Sequence, residues 1–122
     1  NTPLVLADQI QIEQVATNLI SNAMHAMEPD GGAITISIQP LSQEITEMRG
    51  DHVSINIADT GPGMTQEVVD RIFDPFYTTK QSGTGLGLAI AQRIITAHRG
   101  TITVQSWPTV GTIFTIILPA AT

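Results

Sequence analysis

The segment from Asp8 to Met27 constrains the fold most, because its apolar residues recur three or four positions apart. This spacing places them along one side of an α-helix, which must bury that side against a second layer. Asp8 can cap the first turn by accepting a hydrogen bond from a backbone N–H. Residues 28–32 (Glu-Pro-Asp-Gly-Gly) are typical of a turn and end the helix. The apolar positions are Ile12, Val15, Ala16, Leu19, Ile20, Ala23, Met24 and Met27.

Two segments after this helix alternate between apolar and polar residues, which predicts β-strands with one buried face. The first covers residues 33–38, and the second runs from His52 to Asp59 with Val53, Ile55 and Ile57 expected to point inward. Residues 40–51 between them are polar and contain a proline and a glycine, so we expect a surface connection.

The second half of the chain predicts two helices and a β-hairpin. Residues 65–73 fit a short helix capped by Thr65. An aperiodic loop follows over residues 74–84, and then a helix over residues 86–96. Strands over residues 101–106 and 112–118 are joined through Pro108 and Gly111, which favours a hairpin. The expected fold is a two-layer α/β sandwich, with three helices packed on one face of a mixed β-sheet.

The composition suits one domain over residues 1–122. Hydrophobic residues make up 42% of the chain, which is enough for a core. The formal net charge of −6 argues against a nucleic-acid partner, whose phosphates attract basic proteins. The chain has no cysteine, so it has no disulfide or thiolate metal site. No apolar run approaches the ~20 residues that span a bilayer, and the chain opens without a signal peptide. We expect a domain excised from a larger protein, cytoplasmic and without a membrane segment of its own.

The first candidate site is a pair of asparagines, Asn18 and Asn22, on the long helix. A spacing of four residues places both amides on one face of the helix. Two amide oxygens can hold a hard cation such as Mg²⁺, which binds through one or two protein groups together with substrate phosphates. The alternative is an ordinary polar helix face, and the two asparagines taken alone favour this alternative.

The second candidate site is the segment 59–64 (Asp-Thr-Gly-Pro-Gly-Met), in which an acid at a strand end is followed by a glycine turn. A carboxylate there can accept a hydrogen bond from the exocyclic amine of adenine, while the carbonyl oxygen of guanine would face it as a second acceptor. An unpaired buried acceptor costs about 1–3 kcal/mol, which favours ATP over GTP. The alternative is a common Asp-Gly turn.

The third candidate site is the glycine-rich segment from Lys80 to Leu88, which opens the third predicted helix. Backbone N–H groups at a helix start, together with the helix dipole, form a site for anions such as phosphate. Lys80 is the only lysine of the chain and lies beside this segment. The spacing fits neither a P-loop nor a dinucleotide-binding fingerprint, and the alternative is a flexible loop.

These three segments, in this order, resemble the catalytic and ATP-binding domain of sensor histidine kinases, a branch of the superfamily that also contains gyrase and MutL. Residues 14–23 resemble the N box of that family, and residues 59–63 its first glycine box. Residues 72–76 resemble its F box, residues 78–88 its second glycine box, and residues 111–114 its closing strand. The resemblance covers nearly the whole chain and implies a Bergerat-type fold. The short spacing from Phe76 to Gly83 resembles sensor kinases of the nitrogen-regulation type.

The resemblance implies ligands for Mg-ATP but no catalytic acid or base. Asn22, with Asn18, would contact Mg²⁺, and Asp59 would accept from the adenine amine. Ile57, Met64, Ile72 and Leu88 are candidates for apolar contact with the purine ring. The full set of implied cofactor-binding residues is Asn18, Asn22, His25, Ala26, Asp59, Gly61, Gly63, Met64, Ile72, Lys80, Ser82, Gly83, Thr84, Gly85, Leu86, Gly87, Leu88 and Thr112.

The implied function is donation of the γ-phosphate of Mg-ATP to a histidine on a separate dimerisation domain, with a response regulator downstream. The domain itself would be monomeric, within a homodimeric parent for which a membrane anchor is one alternative. Hydrolytic relatives have a glutamate as general base at the position of Asn18, and an amide cannot take that proton. Two alternatives remain open, a hydrolytic ATPase of the same superfamily and a non-catalytic nucleotide-binding module.

Overall fold

The structure, a computed structural model, describes residues 9–28, 31–41, 52–75 and 87–119. Within these residues the helices are α1 (Gln9–Ala26), α2 (Gln66–Arg71) and α3 (Gly87–Ala97). The strands are β1 (Ile34–Leu41), β2 (His52–Asp59), β3 (Thr101–Trp107) and β4 (Gly111–Pro119). The cap expected at Asp8 and most of the loop expected over residues 74–84 lie outside the described residues.

The sequence patterns predicted several of these elements closely. The strand predicted from His52 to Asp59 has those ends in the structure. Thr65 caps α2, with its hydroxyl oxygen accepting a hydrogen bond from the backbone N–H of Val68 at 3.4 Å. β3 and β4 form the predicted antiparallel hairpin.

The prediction for residues 40–51 was wrong at its start, because Pro40 and Leu41 continue β1 and pair with Val53 and His52. β1 is one of the two edge strands among the described strands, and only one of its sides pairs with another described strand. Proline is tolerated in edge strands, since its missing N–H does not break a ladder hydrogen bond when it faces the other side. The rest of the predicted connection, residues 42–51, lies outside the described residues.

The sheet has the order β1-β2-β4-β3, and each of its described pairings is antiparallel. The expected two-layer sandwich is confirmed. We expected a mixed sheet, and the three pairings among the described strands are all antiparallel. β2 and β3 do run in the same direction, but β4 folds back from β3 and lies between them. This insertion places the C-terminal end of β2 beside the N-terminal end of β4.

The core lies between the sheet and the helices α1 and α3. The side chains of Leu19 and Ile95 are fully buried, one from each of these helices, and Leu118 of β4 is 1% exposed. Phe73 follows α2 and packs edge-on against Phe114, with their ring centroids 6.2 Å apart. Within the part of the chain that the structure describes, no helix is long and apolar enough to cross a membrane.

Candidate functional site

A row of polar side chains crosses three strands at one end of the sheet. Asp59 of β2 pairs with Thr112 of β4, and Thr112 pairs with Ser106 of β3. Directly paired residues point to the same face of a sheet, and the next residues on that face lie two positions along each strand. Those residues are Ile57, Phe114 and Val104, which belong to the core or pack against it. The polar row therefore borders the core on the face that the helices cover.

The carboxylate of Asp59 is held in position by the turn that follows it. Its Oδ1 accepts a hydrogen bond from the backbone N–H of Gly61 at 2.9 Å. A carboxylate has further lone pairs, so it can accept from a ligand at the same time. Asp59 is half-buried, which gives such a ligand access.

The turn at residues 61–64 is fixed to the β3–β4 hairpin. Gly63 has a φ of +72°, and a Cβ there would collide with the carbonyl oxygen of Trp107. The N–H of Met64 donates to Ser106 Oγ at 2.7 Å, and the N–H of Thr109 donates to the carbonyl oxygen of Pro62 at 2.6 Å. These bonds tie the turn to the hairpin, so they hold the turn and the polar row in a fixed relative position.

Ser106 is a site residue that the sequence reasoning missed. Besides accepting from Met64, its hydroxyl donates to the carbonyl oxygen of Gly111 at 3.1 Å and lies 2.8 Å from Thr112 Oγ1. A serine on a predicted strand carries no signal by itself. Its position would have followed from pairing the two hairpin strands outward from their turn, which places Ser106 opposite Thr112.

On α1, the residues Asn18, Asn22 and Ala26 lie four positions apart and form a stripe along one face of the helix. This α1 stripe contacts both glycine segments. Asn18 Nδ2 donates to the carbonyl oxygen of Gly87, the first residue of α3, at 3.1 Å. At the other end of the stripe, a methyl group placed on Gly61 would lie 3.5 Å from the carbonyl oxygen of Ala26. Asn22 lies between these two contacts on the same helix face. The stripe therefore extends from the start of α3 to the turn beside Asp59.

The contact between Asn18 and Gly87 gives the amide a definite orientation. A carbonyl oxygen accepts and cannot donate, so the NH₂ group of Asn18 must face Gly87. An ionised glutamate in this place would have no hydrogen to offer to that carbonyl oxygen. The local structure is thus adapted to an amide and not to a carboxylate base.

His25 lies one turn beyond Ser21 on α1 and is exposed. Its Nδ1 is 2.8 Å from the carbonyl oxygen of Ser21, which can only accept, so Nδ1 carries the hydrogen. The imidazole is therefore oriented by its own helix, with Nε2 as the nitrogen left for another contact. The contacts described for His25 are with Ser21 of its own helix.

The described residues contain no cluster of three or more His, Asp or Glu side chains that could hold a metal ion. A metal at this site would take the amide oxygens of α1 and complete its coordination with oxygens from a ligand. Mg²⁺ fits that donor set, since it binds oxygen, keeps several waters and commonly uses substrate phosphates.

The structure places the remaining predicted residues as follows. Met64 and Ile72 are half-buried, and Ile72 packs against the core. Ile57 and Leu88 are core residues, with 3% and 7% of their surface exposed. Gly87 begins α3 beside Asn18. The predicted phosphate-binding residues that lie outside the described residues are Lys80, Ser82, Gly83, Thr84, Gly85 and Leu86.

Comparison with known proteins gives matches over nearly the whole chain. Residues 7–122 match the family described as histidine kinase-, DNA gyrase B- and HSP90-like ATPase. Sporulation kinase E of Bacillus subtilis (strain 168) is 44% identical over 117 residues, which cover 96% of this chain and 15% of that protein. The sensor histidine kinase ZraS of Klebsiella oxytoca is 41% identical over 115 residues, covering 94% of this chain and 23% of that protein.

A solved structure extends the likeness to three dimensions. Full-length ShkA in complex with AMPPNP matches with a TM-score of 0.79 and 31% identity, covering 98% of this chain and 24% of that one. The chain thus spans less than a quarter of the length of each of these three proteins. It belongs to the histidine kinase-, DNA gyrase B- and HSP90-like ATPase family, and its relatives there are sensor histidine kinases.

Proposed function

We propose that this domain binds Mg-ATP and donates the γ-phosphate to a histidine on a separate dimerisation domain. The family match and the likeness to sensor histidine kinases support an ATP-binding catalytic role. The observation that carries the proposal is the fixed carboxylate of Asp59, which lies at the end of the α1 stripe that contains both asparagines. The hydrogen-bond acceptor for a purine amine and the oxygen ligands for a phosphate-bound cation then belong to one site.

At the purine end, Asp59 accepts from the exocyclic amine of adenine, and Thr112 lies beside it in the same row. Met64 and Ile72, both half-buried, supply apolar contact to the ring. The hydrogen bonds that fix the turn at residues 61–64 orient these groups in advance, which lowers the entropy lost on binding.

At the phosphate end, Asn22 and Asn18 contribute amide oxygens to Mg²⁺, and Lys80 with the glycine segment contacts the phosphates. Bound Mg²⁺ supplies charge neutralisation at the phosphate oxygens. Asn18 also ties α1 to the first residue of α3, so it positions the metal site relative to the segment that holds the phosphates.

In this proposal the γ-phosphoryl group is transferred to a histidine and not to water. Asn18 cannot act as a general base, and an acceptor histidine needs less help from a base because its neutral imidazole is already nucleophilic. The acceptor histidine belongs to a dimerisation domain of the parent protein, which we propose to be a homodimer that passes the phosphoryl group to a response regulator.

Titration calorimetry and a transfer assay test this proposal. We expect the 122-residue chain to bind ATP with Mg²⁺, to hydrolyse it slowly and not to phosphorylate itself. Adding the histidine-containing dimerisation domain of its own parent protein should produce phosphohistidine. Rapid steady hydrolysis would instead identify a hydrolytic ATPase. ATP binding without transfer would identify a nucleotide-binding module, and the absence of ATP binding would refute the proposal altogether.

Replacing Asn22 by alanine should remove the magnesium-dependent part of ATP affinity, about tenfold or more, because one of the two amide oxygens is lost. ATP affinity measured in excess chelator should stay unchanged. Alanine is favourable in helices, so the substitution should preserve α1. The exposed Thr17→Ala, one position before Asn18, is the matched control. Equal magnesium dependence in both variants would remove Asn22 from the ligand set.

A further inference from the structure

The hydroxyl group of Ser106 has every hydrogen-bonding position filled. A serine hydroxyl has one hydrogen to donate and two lone pairs with which to accept. The carbonyl oxygen of Gly111 can only accept, so the bond to it at 3.1 Å uses the hydrogen of Ser106. The N–H of Met64 can only donate, so the bond at 2.7 Å uses one lone pair. One lone pair is left for Thr112.

This arrangement determines the direction of the bond between Ser106 and Thr112. Their hydroxyl oxygens are 2.8 Å apart, and Ser106 has no hydrogen left to donate. Thr112 must therefore donate to Ser106. Its Oγ1 then has only lone pairs to offer to a ligand beside Asp59, even though a threonine hydroxyl in general can donate or accept.

We propose that Ser106 is a positioning residue that determines base specificity by holding Thr112 as a hydrogen-bond acceptor. This inference rests on the proposed function, because it concerns the purine end of the same site. Both polar groups beside the base, the carboxylate of Asp59 and the hydroxyl of Thr112, are then acceptors. The 6-amine of adenine has two hydrogens and can donate one to each acceptor, whereas the 6-carbonyl oxygen of guanine has none to donate and is opposed by both.

The prediction concerns the ratio of ATP to GTP affinity. In Ser106→Ala the hydrogen of Thr112 is released and can turn toward the carbonyl oxygen of guanine. We expect the preference for ATP over GTP to fall about tenfold, mainly through tighter GTP binding, because a mismatched acceptor gains a donor. Ser106→Thr keeps a hydroxyl on a β-strand and should restore the preference. The measurement is calorimetric competition of the two nucleotides, each with Mg²⁺.

Two comparisons separate this role from a merely structural one. Loss of packing alone would weaken ATP and GTP equally and leave their ratio unchanged. Thr103→Ala, on the opposite face of β3 and exposed, is the control for the strand. In a Thr112→Val background, Ser106→Ala should have no further effect on the ratio, since Ser106 acts through the hydroxyl of Thr112.

The outcomes also separate this inference from the proposed function. If the unsubstituted chain binds no ATP, the proposed function fails. If it binds ATP in preference to GTP and Ser106→Ala leaves that preference intact, the proposed function stands and the role of Ser106 is refuted. An effect of Ser106→Ala that persists fully in the Thr112→Val background also refutes it.

Discussion

Replacing Asp59 by asparagine should lower ATP affinity about 100-fold and abolish the preference for ATP over GTP. The amide oxygen can still accept from the N–H of Gly61, as the carboxylate Oδ1 does at 2.9 Å. The NH₂ group then faces the base, where it opposes the adenine amine and can donate to the carbonyl oxygen of guanine. Losing a charge-assisted hydrogen bond and gaining a donor–donor contact together cost about 3 kcal/mol. Calorimetry with each nucleotide and Mg²⁺ measures both effects.

The control is Asp70→Asn, which removes the same charge from the exposed surface of α2. It should leave both affinities within about a factor of two, since exposed charges are well screened. Asp59→Ala removes the acceptor without adding a donor, so it should lower ATP affinity and raise GTP affinity slightly, because the carbonyl oxygen of guanine no longer faces a carboxylate. An ATP preference that is undiminished in Asp59→Asn would show that Asp59 does not contact the base.

Local chemistry accounts for most of the fold that could be predicted from the sequence. The cap at Thr65 and the ends of β2 depend on neighbouring residues, so short-range rules find them. The same holds for the β3–β4 hairpin, whose turn lies between its own strands. Pro40 shows the limit of such rules. A strand can continue through a proline when it lies at the edge of the sheet, and the neighbouring residues in the sequence do not show whether it does.

The candidate site depends on contacts that no local pattern specifies. Asn18 meets Gly87, which is 69 residues further along the chain. The row of Asp59, Thr112 and Ser106 exists because β4 is inserted beside β2. Residue types at the strand end and on the helix indicated a purine and a cation, but the direction of each hydrogen bond required the three-dimensional arrangement. The direction of the hydrogen bond between Thr112 and Ser106 is the clearest case, since the sequence alone allows the hydroxyl of Thr112 either to donate or to accept.

Gly111→Ala should destabilise the domain by about 3 kcal/mol, because a methyl group at this position would overlap the backbone at the end of β2. Gly111 is buried and has a φ of +153°, and a Cβ there would collide with the carbonyl oxygen of Asp59. It would also lie 3.4 Å from the Cα of Thr60. Both neighbours are backbone atoms, so no flexible side chain can move aside, and the strands must separate. Urea unfolding followed by circular dichroism measures the change.

Gly31→Ala separates the collision from the backbone strain in this experiment. Gly31 also has a positive φ, of +80°, but no atom lies within 4 Å of the Cβ position. It should therefore cost only about 1 kcal/mol, which is the strain of a left-handed residue. The strands that Gly111→Ala forces apart carry Asp59 and Thr112, so ATP affinity should fall in this variant even where it remains folded, and Gly31→Ala should bind ATP normally. Equal losses of stability in the two variants would show that the close approach of β2 and β4 contributes nothing beyond backbone conformation.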